Sequence, residues 1–184
     1  MKYFTVFCLA IALVSCSQKK GTDTQEEMLS PTSTVTEFLK WYRTNYEKLM
    51  QITMVDGGIY QRPDSTKNYS VNFTGTEEYL TQLKSTGFIS DQYVDEWRAY
   101  FKKADDDMKA SPENDGPPMW FDYDLIMLSQ DFDLAEIEKA TTTEALNDGK
   151  ATVTFEFYPG YILKYSLSTI DGKWMIDKIE NKSS

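Results

Sequence analysis

The stretch Ala151-Thr152-Val153-Thr154-Phe155-Glu156-Phe157-Tyr158 alternates apolar and polar side chains. Ala151, Val153, Phe155 and Phe157 fall on one side and Thr152, Thr154, Glu156 and Tyr158 on the other, the period of two that defines a half-buried β-strand. Asn147-Asp148-Gly149 before it and Pro159-Gly160 after it are turn signals. Working outward, Tyr161 to Ile170 reads as a second strand, Asp171-Gly172 as a tight turn and Lys173 to Glu180 as a third strand, with an earlier partner at about 134–146. Together these predict a four-stranded antiparallel meander whose register is set by short turns.

Upstream the period changes to that of a helix. Thr34-x-x-Glu37 has capping-box spacing, and Val35, Phe38, Leu39, Tyr42, Tyr46, Leu49 and Met50 follow at helical intervals, predicting a helix over about 34–54 that Asp56-Gly57-Gly58 ends. A second capping box, Thr74-x-x-Glu77, opens a short helix carrying Tyr79, Leu80 and Leu83, closed by Gly87. The third helix starts at Ser90 as N-cap, with Ile89 and Val94 placed as a hydrophobic staple, and runs to about residue 109. Asp105-Asp106-Asp107 near its end reads as a frayed, solvated face, because negative charge there opposes the helix dipole. Pro112 to Pro118 breaks the chain without opening a second domain. The fold class is therefore α+β: N-terminal helices packed on a curved C-terminal antiparallel sheet.

Composition removes several chemistries. The 184 residues include no His and two Cys, with 19 Lys plus Arg against 29 Asp plus Glu, a formal charge of −10. Without histidine there is no Ser-His-Asp or Cys-His catalysis, no histidine-ligated zinc and no imidazole switch. An acidic chain lacks the basic face that phosphates demand, which argues against nucleic acid. No residue pattern calls for a cofactor.

The N-terminus reads as an address. Lys2, the apolar run Tyr3 to Val14 and the small Ser15 form a signal sequence, too short to span a bilayer, which takes about 20 apolar residues. Leu13-Val14-Ser15-Cys16 resembles the bacterial lipobox, which implies cleavage before Cys16 and lipid on its thiol and amine. Residues 1–15 are then the signal peptide, 16–32 a polar flexible tether and 33–181 a single domain. Cleavage removes Cys8 and Lys2, so the domain keeps no cysteine and the mature chain is one unit more acidic. Its stability must come from its core, which a domain of about 150 residues can supply by burying roughly 68–70% of its unfolded surface. Gln18-Lys19-Lys20 lacks the acidic export signal of surface-exposed lipoproteins, which points to a periplasm-facing anchor in the cell or outer membrane.

The ending Gly172-Lys173-Trp174-Met175-Ile176-Asp177-Lys178-Ile179 resembles that of nuclear-transport-factor-2-like and cystatin-like proteins, whose helices and sheet form a cone. Asp124-Leu125-Ile126-Met127-Leu128-Ser129-Gln130-Asp131 is similar to a segment of an uncharacterised family of exported bacterial proteins and lipoproteins with that fold. Asp124, Gln130 and Asp131 match, and Leu125 departs from the expected Pro. The resemblance implies a fold and no activity.

Two constellations carry chemistry. Asp122 and Asp124, with Asp131 and Asp133, offer four carboxylates to a calcium ion if the chain folds back between them, although the spacing matches no calcium loop and capping acids have the same look. Tyr42, Tyr46, Trp97, Phe101, Phe155, Phe157, Tyr165 and Trp174 are candidate ligand-binding residues if the cone is open, and core if it is filled. Rings at these helix-face and strand-face spacings are read first as packing. The superfamily's enzymes use an Asp or His base, which here leaves Asp177 as the residual carboxylate. The functional reading is a lipid-anchored, non-catalytic binding domain for an envelope protein or a small amphipathic ligand. Its rival is an isomerase- or dehydratase-like enzyme using one buried carboxylate, and an inhibitor or immunity protein with an acidic docking surface is a third reading.

Overall fold

The computed structural model describes residues 28–58 and 67–183. Cys16, the signal peptide and most of the tether lie outside them. The chain forms helix α1 (Pro31–Leu49), a two-residue hairpin of β1 (Val55–Asp56) and β2 (Ser70–Val71), helices α2 (Phe73–Lys84) and α3 (Asp91–Ala110), a 3₁₀ turn (Leu134–Glu138), and strands β3 (Thr141–Asn147), β4 (Lys150–Tyr158), β5 (Tyr161–Ile170) and β6 (Lys173–Asn181). The last four pair antiparallel in chain order, the expected meander. The helices pack on the sheet, an α+β architecture.

Helix starts depart from the sequence reading in two places. Ser30 caps α1 by accepting from the Ser33 amide at 3.0 Å, and Pro31 fits the first turn because its missing N–H would have no partner there. Thr34 is instead buried and Glu37 pairs with Lys40. Asn72, not Thr74, caps α2 through a 2.9 Å bond from the Gly75 amide. Short side-chain caps three residues upstream compete well with a capping box when the chain enters from an extended segment. The α1 helix also ends at Leu49, where the Gln51 and Ile52 amides turn back to Lys48 and Leu49, short of the expected 54. Ser90 caps α3 as read, accepting from the Tyr93 amide, with Ile89 and Val94 buried beside it. The acids at the end of α3 are not frayed: Asp105 is buried beneath Lys109, and Asp106 and Asp107 pair with Lys102 and Lys103.

In the sheet, Asp148-Gly149 and Asp171-Gly172 all take positive φ, the primed-turn geometry whose twist matches the flanking strands. The third connection, Pro159-Gly160, is flanked by a register shift between Glu156 and Tyr158. A second shift lies between Ser166 and Leu167, whose partners are Lys178 and Ile176, so Asp177 is the extra residue of a bulge. The bulge breaks strict alternation and lets Ile176, Asp177 and Ile179 all turn inward. The outer edge of β6 is covered, because the Ile176 amide donates to Phe88 and its carbonyl accepts from Ser90. At the other edge, β3 starts at Thr141 rather than near 134, where Asp133 instead caps the 3₁₀ turn through the Ala135 amide. All seven β3 residues are exposed.

Candidate functional site

The segment 117–133 lies between α3 and the 3₁₀ turn that precedes the sheet. Its apolar run turns inward: Leu125, Ile126 and Met127 are at most 4% exposed. Asp124 makes this turn possible. Its Oδ1 accepts from the Ile126 and Met127 amides at 2.9 and 2.6 Å, and its carbonyl accepts from the Leu128 amide, whose residue sits at φ 51°. An Asp that satisfies the amides two and three positions on is a local turn device. Four side chains from the rest of the fold then hold the segment. The Tyr42 hydroxyl donates to Asp124 Oδ2, the Tyr161 hydroxyl to the Met127 carbonyl, the Tyr158 hydroxyl to the Asp131 carbonyl and the Asn181 amide to the Leu128 carbonyl. One helix and three strands therefore hold a plug made by residues 124–131.

The plug decides where the eight candidate aromatics lie. Tyr42, Phe101, Phe155, Phe157 and Tyr165 are core residues, none more than 4% exposed, and Phe155 lies edge-on to Tyr165 at 5.6 Å. Trp97 packs half-buried on Tyr100 and Phe101 along α3. Trp174 lines a separate groove with Phe88, Met28 and Leu29. Tyr46 alone of the eight lines the groove beside Asp124. The rings are thus spread over core, α3 and two surface grooves rather than gathered around one cavity. Ile126 and Met127 belong to the same buried core as five of those rings.

Asp124 carries the most perturbed acid environment of the segment. Burial raises its carboxyl above the ordinary range against three hydrogen bonds, from Met127, Tyr42 and Ile126, that pull it down. The surrounding phenols are pushed up, chiefly by burial and further by the charge of Asp124: Tyr79, Tyr93 and Tyr165 all show this. The buried hydroxyls of these three have no protein partner among the described residues. Gln130 and Asp131 are exposed; Gln130 reaches Asp122 at 3.3 Å, and Asp131 acts through its backbone, exchanging bonds with the Ser129 hydroxyl. Among the described residues no three acidic or sulfur side chains converge as a metal site. Asp177, the residual base candidate, is the mostly buried extra residue of the β6 bulge.

Outside the plug runs an open groove of about 590 Å³, bordered by Tyr46, Met50, Met54, Phe121, Asp122 and Phe132 among others, with Asp124 at its side. Tyr46 meets Phe132 edge-on at 5.9 Å, and Phe121 stacks on Phe101 at 5.7 Å. Reading the sequence singled out the aspartates and Tyr46 but not this groove. The signal was Pro117-Pro118 followed by three aromatics within five residues, of which Phe121 and Tyr123 line the groove.

No protein-family profile and no curated protein matches the chain. Two solved structures resemble it in fold. One is the type VI native effector-immunity complex Tae3-Tai3 from Ralstonia pickettii, with TM-score 0.47, 16% identity, and coverage of 83% of this chain and 95% of that one. The other is the selenomethionine form of the same complex, with TM-score 0.43, 14% identity, and coverage of 84% and 98%. Values this low speak to neither role nor partner.

Proposed function

We propose that this protein is a non-catalytic protein-binding domain held by lipid on Cys16 at a bacterial envelope membrane, facing the periplasm. The observation that carries the binding reading is the plug. Ile126 and Met127 are fully buried in the core, and five of the eight candidate rings are buried in that core as well. What the fold leaves open is surface: the β3 edge, exposed along its whole length, and the groove beside Asp124. Both suit a macromolecular partner better than an enclosed small molecule. The lipid reading is supported by Leu13-Val14-Ser15-Cys16 and the polar tether that follows. The element order and the Lys-Trp-x-Ile ending support placing the domain among cystatin-like cones.

The enzyme reading has one observation in its favour, the desolvated carboxylate of Asp124. Its oxygens are already engaged by two amides and a phenol, which is the pattern of a structural acceptor rather than a free base.

The test is native mass spectrometry of the full processed chain taken from its own envelope in detergent. A retained protein supports the reading, and if that protein is an enzyme the domain is an inhibitor or immunity protein. A retained small molecule without protein overturns it. Cys16→Ala tests the address: membrane partitioning and lipid labelling should vanish, and unchanged partitioning would remove the lipid anchor.

A further inference from the structure

The groove beside the plug combines two properties seldom found on one surface. Its walls are rings and thioethers, from Tyr46, Phe121, Phe132, Met50 and Met54, and its lining holds two carboxylates, Asp122 and Asp124, with no Lys or Arg. Asp122 is exposed, and among the described residues its side chain accepts a single long bond, from Gln130 at 3.3 Å. Tyr79 also lines the groove, and its buried hydroxyl has no partner among the described residues. On α3, Lys103 is held by Asp107 and lies over the Trp120 ring at 4.8 Å.

Aromatic walls beside carboxylates that meet no Lys or Arg of the groove lining define a chemistry. A guanidinium is planar, weakly hydrated and able to stack on a ring while it forks two N–H donors onto a carboxylate. Its three-carbon stem covers apolar surface on the way in. A lysine ammonium is more strongly hydrated and lacks the fork, and an acidic or phosphorylated segment meets like charge. The net charge of −10 favours approach of a basic partner over an acidic one.

We infer that this groove receives an arginine side chain presented by the partner protein, with the guanidinium on Asp122, the rings of Tyr46 and Phe121 flanking it, and Asp124 supplying negative potential from the side. This rests on the protein-binding reading above and names the chemistry of its partner.

The probe is the blocked tripeptide acetyl-Gly-Arg-Gly-amide, titrated into the full processed chain and followed by amide chemical shifts, beside its citrulline counterpart, which keeps the shape and loses the charge. The arginine peptide should shift residues 46–55 and 117–132, weaken several-fold between about 50 and 300 mM salt as screening grows, and bind about tenfold less well to Asp122→Asn, the loss of one charge-assisted hydrogen bond. Asp171→Asn, which removes the same charge from a distant hairpin turn, should leave binding unchanged. Equal binding of the citrulline peptide, or equal weakening by Asp122→Asn and Asp171→Asn, overturns the inference. If a protein is retained from the envelope and Asp122→Asn retains it equally, the groove assignment fails while the protein-binding reading stands. If the peptide binds as expected and no protein is retained, the groove assignment stands and the protein-binding reading fails.

Discussion

The Tyr42 hydroxyl donates to the carboxylate of Asp124, 82 residues further along the chain. This one bond joins α1 to the plug, and it is made inside the core, since Tyr42 is fully buried. Tyr42→Phe keeps the ring and removes the donor. It should cost about 1.5–3 kcal/mol, the range for a hydrogen bond to a charged group. Urea unfolding should show a lower midpoint with an unchanged slope. A loss under about 0.5 kcal/mol would mean that the bond does not hold the plug.

Asp124 sets a pH dependence with an unusual sign for a carboxylate. Its folded value lies above its unfolded one because burial outweighs its hydrogen bonds, so the folded state binds the proton more tightly. The stability from this group is fully present below the unfolded value near about 3.9 and is lost as pH rises through the raised folded value. Glu77, Glu138 and Glu180 run the other way: Arg98, Arg43 and Lys182 hold them low, so their contribution is lost only as pH falls through those lowered values. Asp124→Asn keeps an oxygen for the Ile126 and Met127 amides and cannot ionise. Its melting temperature should gain on the native chain's between about pH 3, below the unfolded value, and pH 8, with the gain made as pH rises from the unfolded value through the raised folded one. A constant difference across that range would refute the assignment.

Met127, like Ile126 beside it, has no exposed surface in the plug. Met127→Ala should destabilise by about 2–5 kcal/mol, the transfer loss of the side chain plus the cavity left behind. Gln130→Ala, three residues on and exposed, should change stability by less than about 0.5 kcal/mol. Thermal unfolding of the pair measures the contrast. Equal effects would show that the segment lies on the surface and does not fill the interior.

The sheet was legible because β4 obeys a strict period of two and each turn carries its own chemistry, Asp-Gly twice and Pro-Gly once. Those signals are local, so the strand order followed, while the register shifts near Phe157 and at Asp177 carried no such signal. The α1 and α2 starts were misplaced because Ser30 and Asn72 compete with nearby Thr-x-x-Glu spacings, and only the direction of the entering chain decides between them. The plug was hidden for a different reason. Leu125-Ile126-Met127 has neither helical nor strand period, and its partners Tyr42, Tyr161 and Asn181 are distant in sequence. Asp124 was noticed as a motif residue, but its role as the acceptor that turns the chain depends on those distant donors.

Gly75 offers the last prediction, because an ordinary rule changes sign there. Inside a helix, Gly→Ala normally stabilises by about 1 kcal/mol. Gly75 lies in the first turn of α2, where a Cβ would sit 1.9 Å from the Thr53 carbonyl oxygen and 2.8 Å from its carbon. Both atoms are backbone, so no side-chain rotation relieves the clash and α2 must move away from residues 53–54. That should cost about 1–3 kcal/mol, the range for overpacking. The displacement also strains the bond from the Asn72 amide to the Met54 carbonyl, 2.9 Å long, and Met54 borders the groove. Gly75→Ala should therefore both destabilise the fold and weaken the arginine peptide. Gly87 supplies the comparison: it has φ +74° but nothing within 4 Å of a new Cβ. Gly87→Ala should cost about 1–2 kcal/mol in backbone strain alone and leave peptide binding as it was. Urea midpoints and peptide titrations on the two variants test both halves, and a stabilised Gly75→Ala would show that α2 does not pack against Thr53.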